Sequence, residues 1–271
     1  VVSKPFFESA AAIDPARLAY KKVVSDCGVN YLNLSLDKHD SRVLGDVIGR
    51  TYTYTGSSTG KKGLIDREWD AEGYEQIEVR TAEKDTDQDG MPDWWEDITG
   101  SNAQLADNNA DRNGDGYTAL EDYLNFLAAP HISIMPGNTF IIYKENLFAG
   151  FSAQPTIVAV PSEISVTVSA NEGANGSGSD SPYRVQLSVP ATCAPGVYSV
   201  VLAADDGDGV GSMQRTVYVA VRNDGSLGIA DTRCAAALRE GDRYNTIGQR
   251  VAENYRGIVI RGGLKVVAGK R

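Results

Sequence analysis

Two short stretches repeat one pattern of carboxylates around a glycine, and no other feature restricts the fold of this chain so strongly. The first is DTDQDGMPDWWE, residues 85–96, and the second is DRNGDGYTALED, residues 111–122. Acids or amides occupy the first, third and fifth places: Asp85, Asp87 and Asp89 in one, Asp111, Asn113 and Asp115 in the other. Gly90 and Gly116 stand sixth, Met91 and Tyr117 seventh, and Glu96 and Asp122 close at the twelfth place. Asp93 adds a ninth-place carboxylate to the first stretch, where the second has Ala119. Like charges this dense repel one another unless a cation sits among them. A hard dication takes six to eight oxygens at about 2.4 Å, and alternating side chains on a tightly bent loop can supply them. The sharp bend at the sixth place calls for a residue without Cβ.

This is the spacing of an EF-hand calcium loop, and it predicts two structural calcium ions. The first would be held by Asp85, Asp87, Asp89, the Met91 carbonyl, Asp93 and Glu96. The second would be held by Asp111, Asn113, Asp115, the Tyr117 carbonyl and Asp122, with a water in place of Ala119 and a shorter closing side chain. Asp107 and Asn109 continue the alternation backwards from Asp111 and offer further ligands. An acidic run is more often a solvated surface or a disordered tail. Here the glycine register is repeated, and both loops run into apolar, helix-like sequence.

The charge distribution agrees. Residues 81–126 carry twelve acids against Lys84 and Arg112, which accounts for the whole net charge of −10. There is no basic stripe, so nucleic acid is not an expected partner. No apolar run is long enough for a membrane span. Cys27, Cys193 and Cys234 are distant from one another and odd in number, which leaves room for one disulfide but not for a zinc or iron–sulfur cluster. The chain opens at VVSKPFF without an initiator Met or signal peptide and reads as a piece or processed product of a longer protein.

The expected fold is mainly β: an antiparallel Ig-like β-sandwich with a small two-helix calcium-loop module, an irregular N-terminal segment and a small β C-terminal unit. The corresponding domains are 1–84, 85–129, 130–222 and 223–271. In the first, a helix is expected with Asp14 as N-cap, Pro15 in its first turn and Gly28 beyond its end, and Arg50–Thr55 alternates like a strand. This segment is too poor in apolar residues to fold alone. Its support is expected from a second chain, a symmetry mate or the calcium module. In the module, Pro92 starts a helix that Gly100 ends. A second helix from Thr118 places Leu120, Tyr123, Leu124 and Leu127 on one apolar face, with Trp94 or Trp95 packed against it.

Period-two alternation marks the sandwich at 164–169 and 183–189, with further runs at 197–203 and 216–221. NEGANGSGSDS, 171–181, reads as a long mobile loop, and DDGDG, 205–209, as a hairpin turn. Near the end, short β runs flank Gly262-Gly263 as a hairpin with a two-residue turn. His39 and His131 are the only histidines, and no triad, P-loop or dinucleotide fingerprint is present, so no catalytic residue is assigned.

AYKKVVSDCG (19–28), DKHDSRVLGDV (37–47), KGLIDREWD (62–70) and the two acidic loops together resemble the tail of secreted bacterial pectate lyases of the parallel β-helix type. The matching positions are Asp37, Asp40 and Arg42, then Gly63, Ile65 and Asp66, across residues 15–127. The acidic loops are also similar to thrombospondin type 3 and dockerin-like repeats. YNTIGQRVAENYRGIVIRGGLKVVAGKR resembles a C-terminal sorting or attachment module of secreted Bacteroidetes proteins. The resemblance implies a secreted, periplasmic or cell-surface protein with a catalytic β-helix domain or chain as partner, and plant cell-wall polysaccharide as the material acted on. A β-helix needs a repeat of short coils, and this chain has none. The implied role is therefore that of a non-catalytic C-terminal region, a spacer or attachment device. Two other roles remain open. One is a carbohydrate-binding sandwich read out by Tyr183, Tyr198 and Tyr218; the other is a dockerin-like partner module. Trp94-Trp95 and Leu120-Glu121 do not match at equivalent places of the two loops, which counts against the latter.

Overall fold

A computed structural model describes residues 13–28, 34, 36–74, 82–171, 181–223, 244–245, 257–261 and 264–268. The chain forms two compact units, Val1–Ala230 and Asp231–Arg271. The first unit is mainly β. Its helices are α1 (Ala16–Asp26), α2 (Lys38–Gly49), α3 (Asp93–Thr99), α4 (Ala119–Ala128) and the single turn α5 (Glu145–Phe148). Its strands are β1 (His131–Ile134), β2 (Thr139–Tyr143), β3 (Thr156–Ala159), β4 (Ser165–Ala170), β5 (Tyr183–Ser188), β6 (Gly196–Ala204) and β7 (Met213–Val221).

The strands make a four-stranded sheet, β1-β7-β6-β3, and a three-stranded sheet, β2-β5-β4. Alternation along each strand sends one set of side chains inward. Ile132 and Ile134, Phe140 and Ile142, Val185 and Leu187, Val200 and Leu202, and Val217 and Val219 share one core between the sheets. Each such apolar side chain contributes about 1.5–3 kcal/mol when fully buried. All pairings are antiparallel except that of β1, which joins β7 in parallel. Ser165 and Thr167 of β4 lie outward, as their alternation requires. The DDGDG stretch does link β6 to β7. Residues 172–180 of the expected mobile loop lie outside the described residues.

The N-terminal helix corrects two expectations. Pro15, not Asp14, is its N-cap residue, and Asp14 instead pairs with Lys22 at 2.8 Å. A support not among the three candidates named above also appears: α1 docks on the sandwich itself. Leu18 and Leu34 belong to the sandwich core. Lys21 reaches Asp206 at 2.7 Å and Asp208 at 2.8 Å, both in the β6–β7 turn. Arg215 of β7 is buried and donates to the Ser25 carbonyl at 2.7 Å and to the Asp26 carboxylate, which neutralises the last turn of the helix. Gly150 sits so close that a Cβ there would stand 2.2 Å from the Lys21 carbonyl oxygen. Too few apolar residues for a core of its own did not prevent order, because the helix borrows a core already built.

Residues 51–55 do not form the expected strand; only Thr55 bridges to Lys62. Tyr52 is exposed, so this alternation had no core to face. Carboxylates organise the loop instead. Asp66 accepts the Ser58 and Thr59 N–H groups at 2.8 Å, and Asp70 accepts those of Ser57 and Asp66 at 2.9 Å. Asp37 is the N-cap of α2, accepting the Asp40 N–H at 2.7 Å. The carboxylates of Asp37 and Asp66 thus have structural work in this chain.

In the second unit, β8 (Tyr244–Asn245), β9 (Gly257–Arg261) and β10 (Leu264–Ala268) form an antiparallel sheet. Arg261 pairs with Leu264, the register expected for the hairpin, and Gly262-Gly263 lie outside the described residues.

Candidate metal centre

The acidic stretches are followed by short helices with readable ends. Pro92 precedes α3, and Gly100 ends it in the left-handed region at φ +87°. Thr118 caps α4 through a reciprocal box: Glu121 accepts the Thr118 N–H at 2.7 Å, and Thr118 accepts the Glu121 N–H at 3.3 Å. The two helices pack through rings, Trp95 against Phe126 at 4.9 Å and against Tyr123 at 5.3 Å between centroids. Both tryptophans pack as expected, but the apolar face of α4 is not the one its spacing suggests. Ala119 and Phe126 are buried, Leu120 and Tyr123 are half-buried, and Leu124 and Leu127 are exposed. Phe126 turns α4 towards the outer face of the sandwich, where Ala220, Val197 and Tyr218 complete the small core. Strand β7 is therefore covered on both faces, with Val217, Val219 and Ala220 all at 0% exposure. Arg222 lies 4.0 Å above the Trp94 ring and 3.7 Å from Glu83.

The two acidic loops repeat their hydrogen bonds one for one. Asp85 accepts the Gln88 N–H at 2.8 Å and the Gly90 N–H at 3.1 Å. Asp111 accepts the Gly114 N–H at 2.7 Å and the Gly116 N–H at 3.1 Å. Asp87 accepts from Asp89 N–H, and Asn113 from Asp115 N–H. Asp89 accepts from Met91 N–H, and Asp115 from Tyr117 N–H. The sixth-place glycines share a left-handed bend, φ +98° at Gly90 and +96° at Gly116.

Their charges are placed differently. In the first loop, one oxygen each of Asp85, Asp87 and Asp89 lie within 4.8 Å of one another, and so do those of Asp89, Glu96 and Asp107. Glu96 is 0% exposed and neither of its carboxylate oxygens has a hydrogen-bond partner. One oxygen of Asp87 and one of Asp107 are likewise buried without a partner. Burial, then the charges of Asp87, Asp89 and Asp107, pushes the Glu96 carboxyl up to about 7. Burial followed by the Asp89 charge also raises Asp87. An ionised carboxylate taken out of water without a counter-charge costs several kcal/mol. The orphaned oxygens therefore fit a cation, and these groups could hold a metal ion. The donors are all oxygen, which suits a hard ion.

Asp93 and Asp107 exchange the roles their positions suggest. Asp93 is drawn away, accepting from Lys84 at 2.6 Å and from the Thr86 N–H and hydroxyl at 2.7 and 2.8 Å, and Lys84 foremost lowers its pKa. Asp107, placed by its spacing beside the second loop, joins the first. In the second loop, Asp111, Asp115 and Asp122 are not among the converging carboxylate groups of the described residues. The Asn113 amide stands between Asp115 at 3.0 Å and Asp122 at 3.4 Å. Burial, then Asp115 and Asp111, raises Asp122. Met91 is buried in the small core, and the Tyr117 side chain is exposed.

A cleft of about 580 Å³ opens between α3, the second loop and β6–β7, with Trp95, Tyr117, Asp122, Phe126 and Tyr218 among its walls. Tyr183, Tyr198 and Tyr218 form no common row. Tyr183 lies in the other sheet, and register pairs Tyr198 with Val219 but Tyr218 with Ser199, so these two face opposite ways. Cys27 and Cys193 are free thiols, and Cys234 lies outside the described residues. No described helix is long and apolar enough to cross a membrane.

No family model matches the chain, and no curated protein matches it. Among solved structures, it is similar to the solution structure of Amebosin at 20% identity and a TM-score of 0.22, over 34% of this chain and 88% of that one. A likeness that slight carries no argument about fold or function.

Proposed function

We propose that this chain is the non-catalytic, calcium-stabilised C-terminal region of a secreted, pectate-lyase-like polysaccharide-degrading protein, acting as spacer and attachment. The observation that carries the calcium part is Glu96. A fully buried carboxylate with no partner closes a loop of converging acids, at the place where an EF-hand-type loop has its last ligand. Calcium there would neutralise the cluster and hold α3 against α4. The small core between those helices also rests on β7, so the ion would stiffen the joint between the acidic module and the sandwich. The parent activity rests on the motif resemblance at 15–127. In this reading the partner is a catalytic β-helix domain or chain, and the setting is secreted, periplasmic or cell-surface.

Titration calorimetry of the intact chain with calcium, paired with melting in calcium and in chelator, tests the proposal. Uptake of calcium and a higher midpoint are expected; no uptake and no shift would sink it. The chain alone is expected to release no unsaturated product from polygalacturonate, and a calcium-dependent rise in product absorbance would overturn the non-catalytic role.

One observation favours a second reading, the binding of carbohydrate. The aromatic-walled cleft beside the second loop offers rings and polar groups together, as saccharide sites do. Retardation on a polygalacturonate gel that is lost on replacing Tyr117 and Tyr218 with Ala would support it.

A further inference from the structure

The segment between the two loops is tied to both. Asp89 of the first loop accepts the Asp107 and Asn108 N–H groups at 3.2 and 3.0 Å, and its own carbonyl takes the Asn108 side-chain amide at 2.9 Å. On the other side, the Asn108 carbonyl accepts the Leu120 N–H at 3.0 Å, and the Ala110 carbonyl accepts the Ala119 N–H at 2.9 Å. These last two donors are at the start of α4, inside the second loop. Asp107 is the pivot of this strap. One of its oxygens accepts from Arg112 of the second loop at 2.9 Å and from the Asn102 N–H at 3.3 Å. Its other oxygen is buried and has no partner. An oxygen of Asp107 falls within 4.8 Å of oxygens of Asp89 and of the buried, unpartnered Glu96.

We propose that Asp107 is a ligand of the first cation, supplied from outside its twelve-residue loop, and that the 107–110 strap makes the second loop depend on the first ion. The inference rests on the calcium reading above. The twelve-residue loop lacks one carboxylate of its expected set, because Asp93 is held by Lys84 and Thr86. Asp107 restores that charge. With the first ion bound, Asp107 is fixed, Arg112 is fixed by Asp107, and Asp111 beside it begins the second loop. Without that ion, the strap faces a cluster of repelling acids and loosens, and the second loop loses its anchor.

The test is calorimetric titration of the intact chain with calcium chloride alone, on wild type, Asp107→Asn, Glu96→Gln and Asp111→Asn. Circular dichroism in chelator first establishes that each variant folds. Wild type is expected to bind in two phases. Asp107→Asn should weaken the tight phase by about tenfold or more, as affinity in such loops follows ligand charge count. Glu96→Gln should abolish the tight phase and also weaken the second. Asp111→Asn should remove the second phase and leave the first within about twofold, because the first ion binds while the second loop is still empty. A tight phase unchanged in Asp107→Asn overturns the ligand role while leaving the calcium reading in place. A second phase untouched by Glu96→Gln overturns the dependence. No calcium uptake by wild type overturns the calcium reading, and this inference with it.

Discussion

The loops at 85–96 and 111–122 share a backbone and differ in where their charge sits. Each of the four hydrogen-bond types in one has its counterpart in the other, down to the glycine bend. Yet Asp89 and Glu96 are buried, whereas Asp111, Asn113 and Asp115 are exposed. The first loop even keeps Gln88 in the left-handed region at φ +62°, where the second has Gly114 at +74°. A non-glycine residue there costs about 1–2 kcal/mol, so the first loop is held more firmly by its surroundings. Local spacing sets the shape of such a loop. Burial decides how strongly its acids require a counter-charge.

The largest expected effect is on Glu96. With free calcium about a hundredfold above its Kd, the first ion should stabilise the chain by about 2.7 kcal/mol. Glu96→Gln should lose most of that gain. In chelator it should melt above wild type, because the amide brings no buried charge. Scanning calorimetry with and without calcium reads both signs, and a wild-type response in Glu96→Gln breaks the contrast between the loops.

A control away from both loops sharpens it. Gly150→Ala should destabilise by about 1–3 kcal/mol by overpacking against α1, equally in calcium and in chelator. The same docking site should answer to pH. Burial works to raise Asp206, but Lys21 and the Ala153 and Ser152 N–H groups outweigh it and lower it. Lys21 first, then the Val210 N–H, lowers Asp208. Asp206 and Asp208 in turn raise Lys21. Carboxylates lowered on folding stabilise above their usual value near ~4 and lose that effect as pH falls through the lowered value. A raised lysine stabilises below ~10 and loses its effect above that, as pH rises through the raised value. Hydrogen-exchange protection factors in α1 should therefore be high and level across neutral pH, and fall in acid before those of the sandwich strands do.

A smaller effect separates equivalent acids. Asp89→Ala should lower the melting midpoint in calcium more than Asp115→Ala, its counterpart, and both more than Asp97→Ala, which ligates nothing in this scheme. Equal losses at 89 and 115 would show that the loops carry equal weight. Least of all, Leu127→Lys should change stability by no more than about 0.5 kcal/mol, since Leu127 is exposed. A large loss there would mean that the α4 face read from spacing is the buried one after all.

The features legible beforehand are those whose cause is local. Pro92, Gly100 and Thr118 mark helix ends through their own dihedrals and hydrogen bonds. The glycine bends and the alternation of β4 and β5 follow from residue type and period. What escaped was long-range. The docking of α1 depends on Asp206, Gly150 and Arg215, more than a hundred residues away from it. The parallel place of β1 depends on which edge of β7 was open. Phe126 displaced Leu124 and Leu127 from the buried face because β7 offered Ala220 and Tyr218 as a second floor, and helical period alone cannot see a second floor.

Sequence alone determined that two glycine-bent acidic loops would form, that each would lead into a short helix, and that a sandwich would follow. These rest on bonds between residues a few places apart, which the chain makes wherever it lies. Tertiary structure decided which acids face one another. Asp107 joins Asp89 and Glu96 because a strap of hydrogen bonds lays the linker across the first loop, and Asp93 is lost to the cluster because Lys84 and Thr86 reach it first. The case for a cation rests on Glu96 being closed off from water, and that burial exists only once α3, α4 and β7 have packed.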